Sequence, residues 1–211
     1  MKNPDVIIIG GGAAGLFCAF TAGQRGLSVL VLDSSNKVGK KILMSGGGRC
    51  NFTNLDITPE NYLSQNPHFC ISALNRYNQW QFIEMVERHG IAYHERKHGE
   101  LFCDNSAKEI LAMLLDECEA AGVQIQTHCE IKSVVALSPG QSGGGFKLQT
   151  SSGQYRCQSL VVATGGLSIP TLGSSGFGYE LAEQFGLRLL PRAAGLVPFT
   201  FSDGVKQIAE N

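Results

Sequence analysis

Three glycine-rich runs hold most of the chemistry that this sequence offers. Gly10-Gly11-Gly12-Ala13-Ala14-Gly15 has the spacing G-x-G-x-x-G. Between a strand and a helix, that spacing gives a tight turn and lets a pyrophosphate approach the backbone at the helix N-terminus. The third glycine lets helix and strand pack closely. Asp33 closes a second apolar strand 18 residues after Gly15. A carboxylate there accepts hydrogen bonds from ribose hydroxyls and repels a 2′-phosphate, so NAD- or FAD-type ligands are favoured over NADP. Ser34 beside it belongs to the same expected ribose contact.

The second run, Gly39-Lys40-Lys41-Ile42-Leu43-Met44-Ser45-Gly46-Gly47-Gly48-Arg49-Cys50-Asn51-Phe52-Thr53-Asn54, is the more informative one. Gly47 and Gly48 permit close approach of a flat ligand, and Arg49, Asn51, Thr53 and Asn54 place donors beside it. Lys41 and Arg49 add cations to the same run. The third run, Ala163-Thr164-Gly165-Gly166, follows an apolar strand. At the carboxyl end of a strand near the switch point of a parallel sheet, it would meet the same ligand.

These runs resemble the YhiN/BaiN-like family of FAD-dependent oxidoreductases in order and spacing, over nearly the whole chain. The S-G-G-G-R-C-N-x-T-N run is specific to that group, whereas the other two are shared more widely among flavoproteins. The resemblance implies that Gly10, Gly12 and Gly15, with Ala13 and Ala14 between, hold the pyrophosphate of FAD and Asp33 its adenosine ribose. It further implies that residues 46–54 lie along the pyrophosphate and flavin, and that Gly165 and Gly166 form a second FAD segment. Under this resemblance Lys41 and Arg49 would meet the diphosphate, and Asn51, Thr53 and Asn54 the polar edge of an isoalloxazine. Family members are about twice as long, with an inserted second domain and a C-terminal return to the FAD domain. The chain ends at Asn211, soon after Val197-Pro198-Phe199-Thr200-Phe201, where the inserted domain would begin, so a fragment or a truncated product is expected.

Two other motifs invite chemistry and lack its context. Cys50 sits where disulfide-reducing flavoenzymes carry a cysteine pair, but Leu55 occupies the partner's place; without a resolving thiol, exchange has no second step. His94-Glu95-Arg96-Lys97-His98 matches H-E-x-x-H, which binds zinc only when both histidines share a helical face. The flanking Ile91-Ala92-Tyr93 and Gly99-Glu100-Leu101-Phe102 read as strand, turn and strand, so no metal is expected. His68, His89 and His128 have no partners at meaningful spacing.

The elements that must position these runs follow from periodicity. Residues 5–10, 27–33, 123–127 and 159–164 read as apolar strands, the continuous kind that a buried parallel sheet requires. Residues 13–24 read as a helix, and residues 36–66 as a long ligand-contacting loop. Asn78 caps a helix over 79–89, and Ser106-Ala107-Lys108-Glu109 opens another as a capping box. Residues 131–137, 146–150 and 154–157 alternate as a small antiparallel meander, and 177–184 form a short helix. The expected architecture is α/β: a Rossmann-like FAD-binding domain over 1–192 with the meander at about 131–157, and the start of a truncated substrate domain over 193–211.

Composition sets outer bounds. The chain has 211 residues with a net charge of −1, which attracts neither phosphate backbones nor anionic membranes as a whole. Seven scattered cysteines without a C-x-x-C pair fit a reducing cytoplasm rather than a disulfide framework. Residues 6–24 are uncharged, but their triple glycine breaks any signal peptide or membrane helix. The expected function is two-electron transfer between bound FAD and a small-molecule substrate, with NAD(P)H as a transient donor because only one dinucleotide fingerprint occurs. A nucleotide-binding module without turnover is the alternative. An RNA-modifying flavoenzyme is disfavoured by the near-neutral charge and the lack of a basic stripe.

Overall fold

The computed structural model describes residues 3–138, 140, 144–169 and 175–194. Two compact units are present, one ending at Gly178 and one beginning at Tyr179.

The first unit is organised by a parallel sheet of order β10-β1-β2-β6, made of β1 (Val6–Ile9), β2 (Val29–Leu32), β6 (Gln124–Gln126) and β10 (Ser159–Val162). Every residue of β1 and β2 is buried, because both strands lie inside the sheet and both faces are covered. Ile8 stands opposite Val31 on one side and Val161 on the other. Val6, Ile8, Val29 and Val31 pack in one core with Leu16, Ala19 and Phe20 of α1 (Ala13–Gln24) and with Ile110, Met113, Leu114 and Cys118 of α5 (Ala107–Ala120). Each such aliphatic side chain contributes roughly 1.5–3 kcal/mol by leaving water. Ser106 caps α5 as expected, its hydroxyl accepting from Lys108 N–H while Glu109 accepts from the Ser106 N–H.

The stretch 36–66 is not an unstructured loop. It contains α2 (Lys40–Met44), a short 3-10 turn (Ser45–Gly48) and β3 (Asn51–Asn54). β3 pairs antiparallel with β5 (Glu100–Cys103), which pairs in turn with β4 (Tyr93–Glu95). Elements this short show no periodicity, and β3 has Phe52 as its one apolar residue and partners about fifty positions away, so no local pattern announces it. Val38, Ile42 and Cys50 nevertheless enter the main core and fix the stretch to it.

Between β3 and β4 lie α3 (Ile71–Arg76) and α4 (Gln79–Arg88). Asn78 caps α4, accepting from the N–H groups of Trp80 and Gln81. The meander β7 (Ile131–Leu137), β8 (Gly145–Thr150) and β9 (Gly153–Cys157) is antiparallel throughout and is tied to β6 where Tyr155 donates to Gln126 Oε1 at 2.7 Å. A final helix, α6, spans Phe177–Gln184. Among the described residues no helix is long and apolar enough to cross a membrane.

Candidate functional site

The carboxyl ends of β1, β2 and β10 converge on the first glycine run. Gly10 has φ +108°, and a Cβ there would lie 2.4 Å from the Ala163 carbonyl oxygen, so the end of β10 passes directly against the turn. A Cβ on Gly15 would lie 1.9 Å from the Gly10 carbonyl oxygen, the close helix-to-strand approach that the third glycine permits. Gly12 differs: nothing lies within 4 Å of a Cβ built there. It is the N-cap of α1 and makes no side-chain cap bond, and Ala13 and Ala14 of the first turn, whose amides have no partner within the helix, are exposed. Open space at Gly12 beside packed glycines at 10 and 15 leaves room in which a phosphate could sit.

Asp33 has two jobs. Its Oδ2 accepts from Gly11 N–H and its Oδ1 from Ser35 N–H, both at 2.7 Å. It therefore clamps β2 to the glycine turn, and the sequence reading, which gave it only a ribose contact, missed this. A carboxylate accepts about four hydrogen bonds, so half its capacity remains for ribose hydroxyls. Ser34 beside it is exposed.

The second run is brought to the first by Gly39, whose N–H donates to the Gly11 carbonyl at 2.9 Å. Gly39 holds φ +70°, and a Cβ there would lie 2.4 Å from Leu111 of α5. Lys41 Nζ then reaches the third run, donating to the Gly166 carbonyl at 3.3 Å and to Ser168 Oγ at 3.0 Å. Thus Gly10 to Gly15, Asp33, Lys41 and 163–168 form one connected group. Ser168 joins it without any signal that spacing alone supplies.

The triple glycine turns left-handed at Gly46, Gly47 and Gly48, with φ of +57°, +67° and +88°. Gly46 rests on the Phe102 ring, whereas a Cβ on Gly47 would meet nothing within 4 Å and one on Gly48 only the Leu43 carbonyl at 4.0 Å. A flat ligand can therefore lie against Gly47 and Gly48.

The polar residues after the turn are tied more to protein than the sequence suggested. Arg49 Nη1 donates to the Asp104 carbonyl at 3.0 Å. Asn54 donates to the His98 carbonyl and accepts from Asp56 N–H, each at 2.8 Å. With its amide nitrogen turned inward, Asn51 meets the carbonyls of Leu101 and Thr53 at 3.3 and 3.1 Å. Thr53 is half-buried in the same strand.

Cys50 is buried at φ +50°, and a second buried thiol, Cys103 of the neighbouring strand, comes close to it through β3–β5 pairing. No sequence spacing revealed this neighbour. Burial pushes the Cys50 thiol up against a weaker opposing bond to Ser45. Burial first, and then the field of Cys50, pushes Cys103 up to about 12. Both stay protonated near neutrality, which does not suit thiolate exchange.

His94 lies in β4 and His98 in a 3-10 turn at φ +62°, so the H-E-x-x-H pair shares no helical face. Among the described residues no His, Cys, Asp and Glu cluster could hold a metal. His89 does have a partner, Glu117 Oε1 at 2.9 Å on α5. A cleft of about 420 Å³ opens beside α4, lined by Trp80, Glu84, Glu87, Tyr93, His94 and Glu95.

Comparison with known proteins bears on the family and the fold. The family model of the HI0933-like protein Rossmann domain matches residues 4–203. A protein of Escherichia coli (strain K12) named ribosomal RNA dihydrouridine synthase is 56% identical over 95% of this chain and 49% of its own length. The 3-dehydro-bile acid delta(4,6)-reductase of Clostridium scindens is 29% identical over 96% of this chain and 51% of its own length. Glycine oxidase from Geobacillus kaustophilus shares the fold with a TM-score of 0.59 at 16% identity, over 90% of this chain and 60% of that one. The chain spans about half the length of the curated relatives it matches.

Proposed function

Because the chain belongs to the HI0933-like Rossmann-domain family, we propose that it is the FAD-binding portion of a reductase that adds two electrons and two protons across a carbon–carbon double bond conjugated to a carbonyl. FAD is the cofactor, and bound here it supplies two-electron chemistry. The residues fit it: the cradle at Gly12, with packed glycines on either side, takes a diphosphate, and Asp33 keeps acceptor capacity for the ribose. Lys41 supplies a cation at the carboxyl edge of the sheet, and Gly47 and Gly48 leave room for a planar ring. Arg49, Asn51, Thr53, Asn54, Ala163 and Thr164 complete the proposed contact set. NAD(P)H is the proposed transient electron donor. Residues 1–192 are assigned to this FAD-binding part and 193–211 to the start of a second domain, although 195–211 lie outside the described residues. The seven free cysteines favour a cytoplasmic setting.

The proposed acceptor is a uridine of ribosomal RNA, whose uracil ring carries such a double bond. The observation that carries it is the 56% identity, over 95% of the chain, to a protein named for that reaction. A small enone is the second reading, supported by the near-neutral charge and by the 29% identical relative named as a bile acid reductase. The test has two parts. The purified chain should show flavin absorption bands or regain them with added FAD; a colourless protein that cannot be reconstituted would sink the cofactor reading. Deleting the gene and digesting the ribosomal RNA to nucleosides should abolish a uridine bearing two extra hydrogens, and an unchanged dihydrouridine content would refute RNA as the acceptor.

A further inference from the structure

Resting on the reading that the acceptor is a uridine in RNA, we propose that Arg96 and Lys97 form an RNA-contact edge mounted beside the triple-glycine turn. The run that mimics a zinc motif supplies them. Arg96 is exposed, yet two restraints hold it. Its guanidinium carbon lies 4.0 Å from the centre of the Phe102 ring, and its Nε donates to His94 Nε2 at 3.2 Å. That bond requires a lone pair on Nε2, so the His94 proton sits on Nδ1, facing Asp104 Oδ1 at 2.6 Å. The chain Asp104, His94, Arg96, Phe102 thus orients a flat cation before any partner arrives. A free arginine side chain carries about 2 kcal/mol of rotamer entropy, part of which is already lost here.

Placement joins this cation to the cofactor site. The ring beneath Arg96 is the same Phe102 ring on which Gly46 rests, 2.6 Å from a Cβ built there. Arg49, at the end of that glycine turn, is bonded to the Asp104 carbonyl that follows β5. The turn carrying Lys97 is locked to β3: Asn54 donates to the His98 carbonyl, and Leu55 N–H donates to the Gly99 carbonyl, both at 2.8 Å. His98 sits at φ +62° within it, a conformation that costs free energy outside glycine and marks an over-determined turn.

Strand alternation directs the Glu95 side chain away from Arg96, and it lines the cleft beside α4 together with Tyr93 and His94. Glu100 and Asp104 share the face of Phe102, and the Asp104 carboxylate is engaged by His94. Among the described ion pairs, none includes Arg49, Arg96 or Lys97. A guanidinium with one face on an aromatic ring keeps its other face for an unstacked base and its N–H edge for phosphate oxygens. RNA offers both, whereas a small enone offers neither.

Fluorescence anisotropy of the chain with a short, labelled, uridine-bearing RNA hairpin at two salt concentrations tests the proposal. R96A/K97A should bind about tenfold more weakly, with the salt dependence shallower by about one to two in logarithmic slope. R96K, which keeps the charge and loses the planar stack, should fall between, and K132A on β7 should match the wild type. Circular dichroism and FAD titration confirm that each variant is folded and loaded. Wild-type affinity and slope in R96A/K97A would overturn the proposal while leaving the acceptor reading to the nucleoside assay. Unchanged dihydrouridine in the deletion strain would remove that reading and this surface with it.

Discussion

Alanine at Gly12 and at Gly15 should move stability in opposite directions while both weaken FAD binding. At Gly15 the new Cβ would sit 1.9 Å from the Gly10 carbonyl oxygen and 3.0 Å from its carbon. A relaxed carbon–oxygen contact needs about 3.3 Å, so β1 and α1 must part by more than an ångström. Both atoms belong to the backbone and neither can swing aside. Overpacking of this kind costs about 1–3 kcal/mol, while replacing glycine by alanine in a helix returns up to about 1 kcal/mol. The net expectation is a loss of about 1–2 kcal/mol. At Gly12 the backbone is at φ −84° and ψ −172°, open to any residue, and nothing lies within 4 Å. Stability should hold or rise by about 0.4–1 kcal/mol, because the unfolded chain loses freedom. The methyl group added in G12A, however, projects into the cradle, and a tenfold weaker FAD affinity, about 1.4 kcal/mol, is the minimum expected. Urea unfolding followed by circular dichroism gives the first quantity and flavin fluorescence titration the second. A G12A protein that binds FAD as the wild type does, or that unfolds as early as G15A, would refute the assignment of that space to the cofactor.

Three further outcomes follow from other parts of the molecule. Asp33→Asn replaces one of two acceptors by a donor facing an N–H group, so the chain should lose about 1–3 kcal/mol in urea unfolding even without FAD, and a purely ligand-dependent effect would show that the clamp is unimportant. Ser106→Ala should cost about 1 kcal/mol through the lost cap of α5, read as a lower unfolding midpoint with unaltered FAD affinity. Burial raises the Cys103 thiol to about 12 and those of Cys118 and Cys157 to about 11 from an ordinary 9.0. The folded state therefore holds its thiol protons longer than the unfolded one, and stability present below pH 9 is lost as pH rises toward 11 and 12. Unfolding curves across that window should show a steepening loss that Cys118→Ala lessens, and a flat profile would contradict the burial of these groups.

What the sequence alone determined is the local part. Continuous apolar runs at 5–10 and 27–33 can be satisfied only inside a parallel sheet, G-x-G-x-x-G dictates its own turn, and the caps at Asn78 and Ser106 are three-residue patterns with three-residue consequences. The meander was legible for the same reason, whereas the FAD class came from resemblance to a flavoprotein family. Tertiary structure decided what depends on distant partners: β3 exists because β5 pairs with it, Cys50 meets Cys103 across that pairing, and His89 finds Glu117 on another helix. Asp33 became a clamp only when the turn folded over β2, and Lys41 reached Gly166 across 125 positions. The physical reason is range. Dihedral preference and hydrophobic period act over a few residues and are written in each segment, whereas a hydrogen bond between remote groups exists only after the core has fixed both backbones.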